Sequence, residues 1–95
     1  MSRPPSFFLV AYDIRDEKRL RQVYRVMRGF GDHIQYSVFR CLLSDTQTAR
    51  LHGKLIEIIN AAEDQVMFVP LGSSDAGIYT LGQAMVHMER VVRIL

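Results

Sequence analysis

The sequence has no tryptophan, a single cysteine, three prolines and six glycines in 95 residues. Each scarcity narrows the field. Cys41 on its own cannot close an intrachain disulfide, and the first residues lack the apolar core of a secretion signal, so the cytoplasm is the expected compartment. No apolar run approaches the roughly 20 residues needed to cross a bilayer, which argues against a membrane role. There is no glycine-rich phosphate loop and no nucleophile elbow, and His33, His52 and His87 show no metal-ligand spacing with one another or with Cys41. Nucleotide hydrolysis and zinc chemistry are therefore disfavoured. Internal repeats and low-complexity tracts are also missing.

What is present is the balance of a folded domain, 48% hydrophobic and 23% charged residues. The length suits one domain over residues 1–95, with residues 1–6 as a flexible lead-in around Pro4 and Pro5 and residues 72–95 as a C-terminal extension. A domain of this size buries only about 60–65% of its unfolded surface, so leftover apolar surface favours an oligomer. The net charge of +2 permits an anionic partner without requiring one, so the placement of the charge carries more information than its sum.

Phe7 to Tyr12 is a continuous apolar run, the pattern of a central strand covered on both faces. Asp16 is placed to cap a helix that runs to about Gly29, with Leu20, Val23, Tyr24 and Met27 on one arc and Lys18, Arg21, Arg25 and Arg28 on a neighbouring one. His33 to Leu43 alternates, with apolar residues on both sides, Ile34, Tyr36, Val38 and Leu42 against Phe39, Cys41 and Leu43. Ser44 and Gln47 have capping-box spacing ahead of a second helix whose inner stripe is Leu51, Leu55, Ile58 and Ile59, ending near Asn60. After a loop at 61–65, Val66 to Leu71 reads as a strand, and its Pro70 suggests a strand end or a sheet edge. Ile78 to Leu81 and Arg90 to Leu95 are candidate short strands, and Met85, Val86 and Met88 between them also fit a helical turn. If His33–Leu43 breaks at a bulge or tight turn near Tyr36-Ser37, the order is βαββαβ, an α+β ferredoxin-like sandwich with a short C-terminal strand extension. Two helices then cover one sheet face. The other, carrying residues such as Phe39 or Val38, is left for a second copy to cover under two-fold symmetry.

Asp13 follows the apolar strand, where a side chain is rigidly held yet reaches solvent. On position alone, an ordinary loop or capping aspartate paired with Arg15 is the commoner reading. One or two carboxylates completed by water and phosphate oxygens can hold Mg²⁺, and a dimer could bring two copies of Asp13 to one shared ion. Lys18, Arg21, Arg25 and Arg28, with Arg15 and Arg19 nearby, form either a phosphate-binding surface or a solvated helix face. Tyr12, Tyr36 and Phe39 are candidates for stacking on bases or for the core and interface.

The elements Leu9-Val10-Ala11-Tyr12-Asp13-Ile14 and Ile34-Gln35-Tyr36-Ser37-Val38-Phe39-Arg40-Cys41, separated by a basic helix, resemble the CRISPR-associated Cas-two family, the smaller of the two universal CRISPR adaptation families. The resemblance covers Phe7 to about Leu71 and is loose beyond Gly72. It implies a ferredoxin-like protomer, a homodimer with facing sheets, and partnership with the larger adaptation integrase as a scaffold that binds double-stranded DNA. It also implies a metal-dependent endonuclease acting on DNA or on single-stranded RNA. Asp13 would then be the catalytic residue and the ligand of one Mg²⁺ per dimer, with Tyr12, Ser37 and Phe39 as supporting residues. Many relatives carry an acid where this chain has Arg40, which leans toward binding and away from cleavage. A stand-alone toxin ribonuclease of the virulence-associated D type, which shares the fold and the early strand pattern, is the alternative.

Overall fold

The computed structural model describes residues 3–82. Its elements are β1 (Ser6–Asp13), α1 (Glu17–Arg28), β2 (Gly31–Gln35), β3 (Val38–Leu43), α2 (Asp45–Ile58) and β4 (Gln65–Gly72). They form one antiparallel sheet in the order β2-β3-β1-β4, the ferredoxin-like arrangement. The helices begin where side chains can satisfy their free amide groups. The Asp16 carboxylate accepts the Arg19 N–H at 2.9 Å, and Ser44 and Gln47 close a reciprocal capping box. Gly29 caps the end of α1, and Pro70 lies near the end of β4, the edge strand of the sheet among the described residues, the kind of position where a missing N–H is tolerated.

Strand pleating sorts the side chains. Val10, Tyr12, Phe39, Cys41 and Leu43 point toward the helices and pack with Val23, Met27, Leu51 and Leu55. Phe39 is wholly buried, with Tyr12 at 6.3 Å, Tyr24 at 5.7 Å and His33 at 5.0 Å between ring centroids. Burying a ring of this size contributes about 1.5–3 kcal/mol. Of the two residues that alternation offers for the open face, Phe39 or Val38, Phe39 belongs to the helix-covered core and Val38 to the open face. The open face carries Leu9, Ala11, Val38, Arg40, Leu42, Met67 and Val69, and no element among the described residues covers it. The continuous apolar run of β1 is thus central but packed by helices on one face only.

The break within His33–Leu43 is present. Tyr36 and Ser37 form a two-residue turn between β2 and β3, with a register shift between His33 and Gln35. Tyr36 takes a φ of 35°, the left-handed region that glycine or asparagine usually supplies in such hairpins. The absence of either residue had hidden the turn from the sequence pattern.

Ile78–Leu81, expected as a short strand, has no regular structure. The Ile78 N–H closes a turn on the Asp75 carbonyl at 3.1 Å, and the Asp75 carboxylate receives Arg40 Nη1 at 2.6 Å. The segment is thereby tied to the open face of the sheet and not laid beside a strand. The expected strand at Arg90–Leu95 and the helical turn around Met85–Met88 lie outside the described residues.

One carboxylate joins the ends of three elements. Asp64, with no side-chain exposure, accepts the Arg15 N–H at 2.9 Å, the Asn60 N–H at 2.8 Å and Arg19 Nε at 2.8 Å, while Arg19 Nη2 also reaches Glu63 at 2.9 Å. The loop after β1, the first turn of α1 and the loop after α2 meet here. The Arg19 guanidinium holds the Asp64 carboxyl well below its ordinary value of 3.8, with the Asn60 and Arg15 amides adding to the effect against the cost of burial. A carboxyl depressed in the folded state stabilises the fold above its unfolded pKa, and that contribution is lost as pH falls toward the folded value. The melting temperature should therefore fall as pH drops below about 4, the ordinary carboxylate value. Asp64→Asn should lower it at neutral pH by on the order of 10 °C and flatten the acid slope in a pH series of thermal melts. An unchanged slope would remove Asp64 from this role.

Candidate nucleic-acid interface

The cationic face predicted for α1 exists, and the fold gives it a second wall. Tyr12, Leu20, Tyr24, Tyr36, Ser37 and Gly29 line an open groove of about 770 Å³ between α1 and the β2–β3 turn, together with Arg21, Arg25 and Arg28. No acidic residue lines it. Helical spacing brings the three arginines to one side because positions 21, 25 and 28 recur at intervals of four and three.

The cations differ in how far they are engaged. Arg21 meets only Glu17, at 3.5 Å and with both side chains exposed, a pairing of little strength in water. Arg28 lies over the Tyr24 ring at 5.8 Å from its centroid and donates from Nη1 to the Tyr24 hydroxyl at 3.2 Å. Arg15, Lys18 and Arg25 are exposed and make no ion pair among the described residues. Arg19 stands apart, since its guanidinium is committed to Asp64 and Glu63 and is only 22% exposed. It orders the loop in front of α1 and has little left to offer a phosphate.

Tyr12 and Phe39 cannot stack on bases, because both are buried. Burial is also the main cause that raises the pKa of the Tyr12 phenol, so it stays neutral. These rings form the floor of the groove and the layer under it. Ser37 contributes its carbonyl, which accepts the Tyr12 N–H at 3.0 Å and joins the turn to β1. Burial pushes the Cys41 thiol up to about 11, which leaves it an unreactive core residue.

Asp13 is exposed at the end of β1, opposite Gln65 of β4. Pleating sends it to the open face while Tyr12 faces the helices, so the fold separates this carboxylate from the groove. It has no hydrogen bond or ion pair among the described residues, and no cluster of three or more His, Cys, Asp or Glu there could hold a metal ion. One chain supplies a single carboxylate, and a Mg²⁺ site would be complete only with a second Asp13 and phosphate oxygens.

Arg40 differs from its expected role. Its guanidinium bonds Asp32 and Asp75, is 13% exposed, and lies 5.8 Å from the centroid of Phe7. The cation is spent on two carboxylates of its own chain and is not available to a phosphate. Asp32, Asp64 and Asp75 were not singled out from the sequence. Their partners lie 8, 45 and 35 residues away, beyond the reach of local spacing.

The comparisons agree with this geometry. Residues 6–77 match the family described as CRISPR associated protein Cas2. A CRISPR-associated endoribonuclease Cas2 of Thermodesulfovibrio yellowstonii is 47% identical over 64 residues, 67% of this chain and 70% of that protein. One of Rhodospirillum rubrum is 36% identical over 91 residues, 93% of this chain and 89% of that protein. Among solved structures, Streptococcus pyogenes Cas2 superposes with a TM-score of 0.73 at 32% identity, covering 80% of this chain and 99% of that one. A hypothetical protein of Thermus thermophilus shares the fold with a TM-score of 0.77 at 23% identity, covering 86% and 96%. No helix among the described residues is long and apolar enough to cross a membrane. With the motifs, the strand order and a family match over most of its length in accord, the chain belongs to the CRISPR-associated protein Cas2 family.

Proposed function

We propose that two copies of this chain pair through their open sheet faces and bind the backbone of double-stranded DNA through α1, acting as a scaffold beside the larger CRISPR adaptation integrase. The observation that carries this reading is the acid-free groove with Arg21, Arg25 and Arg28 on one wall. Guanidinium groups without strong internal partners are free to replace counterions along phosphates, whatever the base sequence. The open face supports the pairing, with Leu42 and Met67 about half exposed and Val69 beside them on the same surface. Across the three strands β3, β1 and β4, Ala11 faces Val38 and Met67, and Leu9 faces Val69 on one side and the neutralised Arg40 on the other.

A second reading follows from Asp13. Relatives are named endoribonucleases, and an exposed, unengaged carboxylate near a dimer axis suits a shared Mg²⁺ that would activate water toward a phosphodiester of RNA or DNA. The side chains in hand supply no general base beside it, so cleavage is expected to be weak. The toxin-type alternative gains nothing from the comparisons.

Three outcomes test these readings. Arg21→Glu combined with Arg25→Glu should weaken duplex binding and reduce the slope of log affinity against log salt by about 2 in a fluorescence-anisotropy titration. An unchanged slope would return these arginines to an ordinary solvated face. Leu42→Lys with Met67→Lys should convert the dimer to a folded monomer in sedimentation velocity at micromolar concentration, whereas a parent protein that is already monomeric defeats the proposed pairing. Asp13→Asn should abolish any Mg²⁺-dependent, chelator-sensitive cleavage and leave duplex affinity within about twofold, since backbone contacts lie elsewhere. Cleavage that survives the substitution would reject Asp13 as a metal ligand.

A further inference from the structure

The β2–β3 turn is built in a way that pairing strands do not require. A two-residue hairpin with a left-handed position ordinarily takes glycine or asparagine there, because a Cβ in that conformation costs about 1 kcal/mol or more. This chain places Tyr36 there, at φ 35°, with the side chain 91% exposed. An aromatic ring in water at a strained position contributes nothing to the core, so the ring itself has a use. The turn is held from both sides. His33 Nε2 lies 2.6 Å from the Tyr36 carbonyl oxygen, which can only accept, and the Ser37 carbonyl receives the Tyr12 N–H at 3.0 Å. Beneath it, Phe39 packs His33, Tyr12 and Tyr24 into one layer. Tyr36 thus stands on a rigid base at one wall of the groove, facing the arginine wall of α1 across an apolar floor that includes Leu20.

A wall with a flat aromatic ring, a floor without acids and a facing wall of guanidinium groups match the two ends of a nucleotide. The volume of about 770 Å³ lies within the range of small-ligand sites. Arg28 is already oriented by its contacts with Tyr24, so little side-chain freedom is lost when it meets a phosphate. We propose that this groove is a pocket for one unpaired nucleotide of the bound strand, its base stacked on Tyr36 and its phosphate on Arg25 and Arg28. The chemistry recognised is a nucleoside phosphate, and the source is the frayed or tailed end of a duplex rather than a free nucleotide. This assignment rests on the nucleic-acid reading of α1 and adds to it a preference for an end over a continuous duplex.

The test compares a blunt duplex, the same duplex with a short single-stranded tail containing 2-aminopurine, and adenosine monophosphate alone. For the parent protein, the tailed duplex should bind more tightly than the blunt one and its 2-aminopurine fluorescence should be quenched on binding. Tyr36→Ala should remove the quenching and the preference, a loss of about 5- to 150-fold for the tailed duplex at the value of one base stack, well beyond any loss for the blunt duplex. Tyr36→Phe should keep both. Equal binding of blunt and tailed duplexes by the parent, or quenching that survives Tyr36→Ala, overturns the pocket while leaving backbone binding by α1 in place. Adenosine monophosphate saturating the groove as tightly as the tailed duplex overturns the assignment to a strand end. Failure of the blunt duplex itself to bind would instead remove the broader nucleic-acid reading.

Discussion

The buried carboxylate of Asp64 is the contact on which the placement of the other elements depends. It receives two backbone amides and one guanidinium, which joins the end of β1, the start of α1 and the end of α2 at a single point. A carboxylate removed from water is tolerated only when its lone pairs are filled, and here they are filled by the local Asn60 amide and by Arg15 and Arg19 from the entry to α1, 49 and 45 residues away. The latch therefore sets where α1 begins relative to the sheet. The basic face of α1 inherits its position from that point, and so does the width of the groove against the β2–β3 turn.

Charge is distributed unequally between the two faces of the sheet. On the helix side, Arg21, Arg25 and Arg28 border a groove without acids. On the open side, Arg40 is neutralised by Asp32 and Asp75 and is surrounded by apolar residues. An arginine satisfied in this way can sit within an interface, since its charge is already compensated and its stem packs on Phe7. The same number of positive charges could have been spread evenly over the surface. Their separation leaves one side with exposed cations and the other apolar, with its cation neutralised.

Asp13 lies on the open face, at the end of β1. Its backbone there pairs with Gln65 of β4 alone, and its side chain is exposed and unengaged among the described residues.

Much of the fold was legible in the sequence because it is written at short range. Asp16 and Ser44 as helix caps, Gly29 as a stop, the core arc of Leu20, Val23, Tyr24 and Met27, and the arginines at 21, 25 and 28 all follow from spacing along a helix. Alternation in β3 correctly grouped Phe39 with Cys41 and Leu43, but periodicity states only that residues share a face and cannot say which face the helices cover. That choice sent Phe39 into the core and Leu42 to the surface. Long-range electrostatics was likewise invisible. Nothing near Arg19 or Arg40 in the sequence announces that one is held by Asp64 and the other by Asp32 and Asp75, because such pairs form only when the strand order brings distant segments together. The sequence by itself determined the helices, their caps and the presence of a basic face; tertiary packing decided which cations remain free, since a charge is available to a partner only if the fold has not already neutralised it.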